Sequence, residues 1–366
     1  MTDSNIDPGV ELLADIPIAG PSEDLFGRRR FALRVVELAC AAPETAPRVV
    51  ALTGGCGSGK SSVLAMVSAL LGERAGIATI AIDAQIQAGA QGLMAAISAE
   101  LAKLFDQLGV VESRDKLRDA LVSYGGIVSG LVRLAGVKVD IAGALERSAA
   151  SLREEIARNL QQAGKRLVIA LDHVDRLPAA ELGGALAALR MYAAIPYVAV
   201  ALALDRHELA TRAAAGGDPR AYERLVHVEI ALPPADRGVL SRVMTGGLRR
   251  VAARTGRDLA AAIALFDGDD GAGLALIETP RDAKRAINAL SAALPLLPPE
   301  ANPYVAALEL VLRVLVPEID GVRLDARHRI AAADRAALLA ELAGALAHHP
   351  RAAAAGDALR VLIVGD

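Results

Sequence analysis

A glycine-rich loop between an apolar run and a helical pattern constrains the fold of this chain more than any other feature. Residues 54–61 read GGCGSGKS and match the pattern GxxxxGK[ST]. The loop follows the β-rich run at 48–53 and precedes the helical pattern at 61–71, which is the context that the motif requires. Backbone N–H groups in such a loop point inward, and the next helix adds positive partial charge at its N-terminus. The sequence therefore predicts a cradle for phosphate groups.

The side chains of this loop indicate a nucleoside triphosphate bound with Mg²⁺. Lys60 is expected to neutralise the β- and γ-phosphates, and the hydroxyl of Ser61 is expected to ligate the cation. ATP is preferred over GTP because the sequence has no Asn/Thr-Lys-x-Asp motif for reading guanine. The predicted nucleotide-binding residues of the loop are Gly54, Gly55, Cys56, Gly57, Ser58, Gly59, Lys60, Ser61 and Ser62.

A second acidic element follows the apolar run at 166–171. Asp172 ends this run, and a carboxylate at the end of a buried parallel strand can hold the water shell of Mg²⁺, which makes Asp172 the second predicted metal ligand. Many ATPases place a second acid directly after it to polarise the attacking water, but this chain has His173. The imidazole can accept a proton in principle. The alternatives are a histidine that is exposed or paired with Asp175, and Asp175 itself as the water-positioning acid.

The order of the apolar and helical patterns predicts an α/β fold. Strands are expected at 48–53, 77–82, 166–171, 197–204 and 225–232, and helices at 24–41, 61–71, 92–108, 114–135, 141–163 and 178–192. Alternating strands and helices favour a parallel sheet covered on both faces, which is a three-layer P-loop NTPase with an α-helical C-terminal domain. We expect a partly ordered lead-in at 1–23, the core at 24–234 and the helical domain at 235–366. Residues 360–364 are predicted as an isolated strand.

Composition and charge narrow the class of partner. The net charge of −3, the pI of about 6.1 and the 2% of aromatic residues give no nucleic-acid signal. The two cysteines, Cys40 and Cys56, have no metal-binding spacing, and we interpret both as free thiols of a reducing cytoplasm. Pro196 splits the apolar stretch 182–204 into a helix and a strand, and the stretch 122–144 contains three charged residues, so no membrane span is expected.

Several segments in order resemble the KAP group of P-loop NTPases over about residues 24–317. DLFGR with Phe31 and Ala32 is similar to the family's lead-in, GGCGSGKSS to its phosphate loop, and LDHVDRL to its second acidic element. VALALDRHEL, YERLVHVEIALPP and ETPRDAKRAINAL are similar to the later strands and to a helical Pro-Arg element. The chain departs from the family at three points. Cys56 and the region near Gln85 lack Trp, and His173 replaces an acid. Many bacterial members carry a membrane hairpin before the second acidic element, but the only place for one here is 122–144, and its charges argue against it.

The resemblance implies roles for further residues. Arg281 is expected to reach the γ-phosphate from the helical domain, where a guanidinium can bridge two oxygens; the alternative is a surface arginine at a helix start. Asp205 is expected near the phosphates, and Gly27 and Arg28 on the adenine side. Arg206 and Arg224 are either surface residues or fingers that act on a neighbouring protomer.

Two functions from different classes remain open on the sequence alone. The first is an ATPase that works as a conformational switch, with a protein partner or within a homo-oligomer, in a signalling or defence assembly as the resemblance implies. The second is a nucleotide-gated binding module with little hydrolysis, which the histidine at 173 favours. A small-molecule phosphotransferase is disfavoured because no acceptor site is evident. A nucleic-acid motor is disfavoured because aromatic side chains for base stacking are scarce.

Overall fold

The computed structural model describes residues 12–42, 45–87, 89–109, 141–216, 220–268, 271–298, 300–319 and 332–363. These residues form two compact units. One contains Pro17–Cys56 and Lys60–Pro233. The other contains the described residues within Met1–Ile16, Gly57–Gly59 and Pro234–Asp366.

The first unit is built on a five-stranded parallel sheet. Its strands are β1 (Val49–Thr53), β2 (Ile77–Asp83), β3 (Arg166–Asp172), β4 (Val198–Leu204) and β5 (Val228–Ala231). They lie in the order β2-β3-β4-β1-β5, and every pair is parallel. All five strands fall where the apolar runs predict them. The carboxyl ends of β1, β3 and β4 therefore meet at one edge of the sheet.

The strand that separates the phosphate loop from the second acidic element in sequence is not the strand that separates them in the sheet. Along the chain it is β2, but in the sheet β2 is an edge strand next to β3. Strand β4 lies between β1 and β3, paired with both. All seven residues of β4 are buried, as expected of a central strand whose two faces are covered.

Alternate strand residues enter two separate cores on the two faces of the sheet. Val49 and Ala51 belong to one core, whereas Val50 and Leu52 belong to the other, because successive strand side chains point to opposite faces. The helices of this unit are α1 (Arg29–Ala39), α2 (Lys60–Gly72), α3 (Gly89–Gln107), α4 (Ile141–Gln162), α5 (Ala179–Ala193), α6 (Arg206–Ala215) and α7 (Ala221–Leu225). The predicted layered α/β architecture is confirmed.

The regular secondary structure of the second unit consists of helices, and its described residues contain no strand. Thr279 and Asp282 form a capping box at the start of the helix that follows Thr279, and Asp282 also lies 2.7 Å from Nη2 of Arg351 in a buried ion pair. The helices are α8 (Arg237–Thr255), α9 (Ala260–Ala264), α10 (Pro280–Ala293), α11 (Pro303–Leu315), α12 (Ala332–Ala345) and α13 (Ala352–Ile363), with 3₁₀ turns between several of them. The predicted helical C-terminal region is confirmed.

The predicted strand at 360–364 is wrong, because residues 352–363 form helix α13. A short apolar run does not distinguish a strand from a buried helix. The buried side chains are Ala355, Ala358, Leu359, Leu362 and Ile363, which recur at helical spacing. Packing of one helical face therefore decides the structure of this segment.

Two predictions about other segments have different outcomes. The stretch 182–204 divides into α5 and β4, as the proline indicates. The helix predicted at 114–135, and residues 122–140 of the weak membrane candidate, lie outside the described residues. Within the described ranges, no helix is both long and apolar enough to cross a membrane.

Candidate nucleotide-binding site

The phosphate loop joins β1 directly to α2. Gly57 and Gly59 have positive φ angles of 77° and 96°. Residues with a Cβ atom rarely adopt such angles, which explains why glycine is needed at both positions. Neither N–H group donates a hydrogen bond to any described residue. The Oγ atom of Ser58 is buried and also has no partner in the described part of the chain. The loop therefore holds several polar donors that an anion can satisfy.

Lys60 begins α2 and turns its ammonium back over the loop. Its Nζ atom donates to the carbonyl oxygens of Gly54 at 2.7 Å and Gly55 at 2.9 Å. Burial lowers the pKa of Lys60, and the nearby carboxylates of Asp175, Asp205 and Asp172 oppose that effect. Acids from the ends of β3 and β4 thus lie within electrostatic reach of the predicted phosphate lysine.

Asp172 and His173 follow each other at the end of β3. The His173 N–H donates to Oδ1 of Asp172 at 2.9 Å and to the carbonyl of Ala203 at 3.2 Å. His173 has φ 59° and ψ 30°, the left-handed region that few residues other than glycine adopt. Its Nδ1 atom lies 3.1 Å from Oδ1 of Asp83 and 3.7 Å from Oδ2 of Asp172.

The side chain that pairs with the His173 ring in the structure is Asp83. Sequence reasoning did not select Asp83. It ends β2 in register with Asp172, so the available signal was an acid at the end of a predicted strand, the same signal that identified Asp172.

Asp175 lies in the turn after β3 and is only 5% exposed. Burial raises the pKa of its carboxyl group, while backbone hydrogen bonds and the charges of Lys60 and His173 lower it by smaller amounts. Its Oδ1 atom has no hydrogen-bond partner among the described residues. Asp175 is therefore a desolvated acid close to Lys60.

Asp205 and Arg206 follow β4, and both make hydrogen bonds within the protein. Asp205 caps α6 by accepting from the N–H groups of His207 at 3.0 Å and Glu208 at 3.4 Å. Arg206 contacts Glu229 of the same chain at 3.3 Å, and Glu229 also accepts from Tyr222 at 2.9 Å. Arg206 is thus already engaged within its own chain.

The structure shows the local surroundings of Gly27 and Arg28, which are expected on the adenine side, and of Cys56 in the phosphate loop. Arg28 is buried, donates from Nη2 to the carbonyl of Pro233 at 2.8 Å, and burial lowers its pKa. Gly27 has φ 64°, so it makes the turn before this arginine. Cys56 is exposed and is not part of a disulfide, and Nη2 of Arg176 lies 3.7 Å from its Sγ atom.

Ser61 and Ser62 lie in the first turn of α2, and both are partly buried. The Oγ atom of Ser62 accepts a hydrogen bond from the N–H of Ile18 at 3.4 Å. Ser61 therefore sits next to Lys60 at the helix start, where the motif requires its hydroxyl.

Arg281 belongs to the first turn of α10 in the helical unit. Its Nε atom lies 2.9 Å from Oδ2 of Asp15. Gly57 groups with the same unit, and a Cβ atom added at Gly57 would lie 2.8 Å from Oγ1 of Thr279 and 3.0 Å from Cβ of Arg281. The predicted roles of Arg281 and of the other site residues stay predictions.

A parallel sheet with a GxxxxGK[ST] loop after β1 and an acid after β3 defines the P-loop NTPase class. The model of the family described as "KAP family P-loop domain" matches residues 28–297. The chain therefore belongs to the KAP family, as the sequence resemblance predicts. A comparison with curated proteins finds no match.

Two solved structures are among those similar to this chain. The Aeropyrum pernix ORC1 protein in complex with DNA has a TM-score of 0.41 at 14% identity, covering 86% of this chain and 72% of that chain. The Aeropyrum pernix ORC2 protein in ADPNP and ADP complexes has a TM-score of 0.40 at 16% identity, covering 91% of this chain and 77% of that chain.

Proposed function

We propose that this protein binds ATP with Mg²⁺ and hydrolyses it to ADP and phosphate as a conformational switch. The observation that carries the proposal is the environment of Lys60. Its ammonium group donates to the carbonyl oxygens of Gly54 and Gly55, and the charges of acids at the ends of two strands raise its pKa against the effect of burial. A partly buried lysine held in this way is positioned to exchange loop carbonyls for phosphate oxygens.

The residues present fit a nucleotide phosphate chain. The N–H groups of Gly57 and Gly59 have no partner in the described ranges, and the same holds for the Ser58 hydroxyl. Phosphate oxygens accept hydrogen bonds, so they can pair with these N–H and hydroxyl donors. A buried donor without a partner, here the Ser58 hydroxyl, disfavours a loop that is only a structural turn.

The residues also fit a magnesium ion held jointly with the nucleotide. The Ser61 hydroxyl and the Asp172 carboxylate are the oxygen ligands that we assign to it. When bound, Mg²⁺ neutralises charge on the β- and γ-phosphates. Asp172 is already ordered for this role, since its Oδ1 accepts from the N–H of His173.

Hydrolysis needs a group that orients a water molecule against the γ-phosphate. His173 and Asp175 are the two candidates, and they lie on the same turn after β3. We further propose that Arg281 binds the γ-phosphate, so that the nucleotide state is sensed by the helical unit. The chain would then transmit that state to a protein partner or to a second copy in a signalling or defence assembly.

A nucleotide-gated binding module with little hydrolysis is the second candidate. The specific observation that favours it is His173, which stands where many ATPases carry an acid. In that case the same loop retains ATP for long periods, and the bound state itself recruits the partner.

Steady-state phosphate release from the purified protein with Mg-ATP separates the two candidates. Lys60→Ala tests the loop and Asp172→Ala tests the cation ligand, while Lys103→Ala is the matched control, because Lys103 is an exposed lysine paired with Glu100 on α3. We expect turnover in the wild type and the control and none in the two site variants. ATP binding that depends on Lys60 without turnover would support the binding module. Equal ATP binding by wild type and Lys60→Ala would contradict both.

A further inference from the structure

The imidazole of His173 has a carboxylate partner from another strand. Its Nδ1 atom lies 3.1 Å from Oδ1 of Asp83, a residue 90 positions earlier in the chain. Asp83 ends β2 and Asp172 ends β3, and the two are register partners. The parallel pairing of β2 with β3 therefore fixes Asp83 beside the residue that follows Asp172.

The carboxylate of Asp83 is itself held in place. Its Oδ1 atom also accepts a hydrogen bond from the N–H of Gln85 at 2.9 Å, which caps the 3₁₀ turn at 84–86. A carboxylate only accepts hydrogen bonds, so a neutral His173 that pairs with it carries its hydrogen on Nδ1. The lone pair of Nε2 is then available as an acceptor.

The second imidazole nitrogen has room for such a contact. The His173 side chain is 26% exposed, and its Nε2 atom has no hydrogen-bond partner among the described residues. The left-handed backbone of His173 is maintained by its N–H bonds to Asp172 and Ala203. Strained backbone of this kind clusters at functional sites, where the surrounding structure compensates for its energy.

We propose that Asp83 is a positioning residue for ATP hydrolysis. It holds His173 in the tautomer and rotamer that present Nε2 as a hydrogen-bond acceptor for the attacking water. This inference rests on the proposed function and selects His173, rather than Asp175, as the group that orients the water. The pair replaces the single carboxylate that other ATPases use at this point of the chain.

Turnover measurements in two backgrounds test this role. Asp83→Asn keeps a side chain that can cap the turn at Gln85, but an amide can both donate and accept, so it no longer specifies the tautomer of His173. We expect Asp83→Asn to lower kcat at least roughly tenfold in the wild type, with ADP affinity unchanged within about twofold. In a His173→Glu background, which supplies an accepting carboxylate directly, we expect no loss from Asp83→Asn.

The outcomes separate this inference from the proposed function. An equal loss in both backgrounds, or no loss in the wild type, overturns the positioning role of Asp83 while ATP hydrolysis stands. Absence of turnover in the wild type overturns the hydrolytic role of both residues. Nitrogen NMR of the His173 ring, assigned with His173→Gln, reports the contact independently of turnover. We expect the Nδ1–H tautomer in the wild type and a mixture in Asp83→Asn, and an Nε2–H tautomer in the wild type would overturn the inference.

Discussion

The Nε atom of Arg281 lies 2.9 Å from the Oδ2 atom of Asp15, and the two side chains form an ion pair between the N-terminal segment and helix α10. Other side chains on the same face of α10 form hydrogen bonds with the main chain of this N-terminal segment. Asn288 exchanges two hydrogen bonds with the main chain of Leu13, and Lys284 donates to the carbonyl of Ala14. The arginine that we assign to the γ-phosphate is thus paired with a carboxylate of the same chain.

Replacing Asp15 by Asn is expected to strengthen ATP binding without changing ADP binding. The pair is partly exposed, so its free energy is at most about 1 kcal/mol, which corresponds to roughly a fivefold decrease in the Kd for ATP. Titration with a non-hydrolysable ATP analogue and with ADP measures this difference. In an Arg281→Gln background the substitution should have no effect, and an equal change for both nucleotides would contradict the assignment of Arg281.

Alkylation of Cys56 is expected to block nucleotide binding. Its thiol is exposed, whereas Cys40 is partly buried, and a maleimide adduct in the loop fills the space that phosphates need. Mg-ATP should protect the wild type, and Cys56→Ser should resist the reagent. Mass spectrometry of the labelled peptide together with an ATP-binding assay provides the measurement. Full ATP binding after complete labelling of Cys56 would argue against the predicted site.

Gly247→Ala is expected to destabilise the helical unit by roughly 1–3 kcal/mol. A Cβ atom at this position of α8 would lie 2.8 Å from Cδ1, 2.9 Å from Cγ1 and 3.1 Å from Cγ2 of Ile287 on α10, so the branched Ile287 side chain or the spacing of the two helices must shift. Gly246→Ala is the matched control, because nothing lies within 4 Å of its added Cβ; it should be neutral or stabilising. Denaturant unfolding measures both, and Ile287→Val should relieve part of the loss.

Asp175→Asn is expected to raise the thermal stability of the nucleotide-free protein at neutral pH. Burial raises the pKa of Asp175, so its ionised form is less favourable in the folded state than in the unfolded state. The associated stability is present at low pH and is lost as the pH rises from the usual aspartate pKa of about 4 through the folded value. The gain in Tm should therefore be larger at pH 7 than at pH 4, and a uniform decrease in Tm would contradict it.

Local patterns were sufficient to predict the elements of the sheet and the phosphate loop. The loop residues Gly54–Ser61 are contiguous, and Asp172 is identified by the buried strand that precedes it. Strands such as Val198–Leu204 are apolar because both faces are covered. These features depend on neighbours in sequence, so the sequence by itself determines them.

Tertiary structure decided the features that join distant parts of the chain. The pairing of β2 with β3 brings Asp83 to His173, and the placement of β4 between β1 and β3 brings Asp205 towards Lys60. The C-terminal run became helix α13 because one helical face is buried. Strand order and helix packing arise from burial across the whole molecule, and no local spacing encodes them.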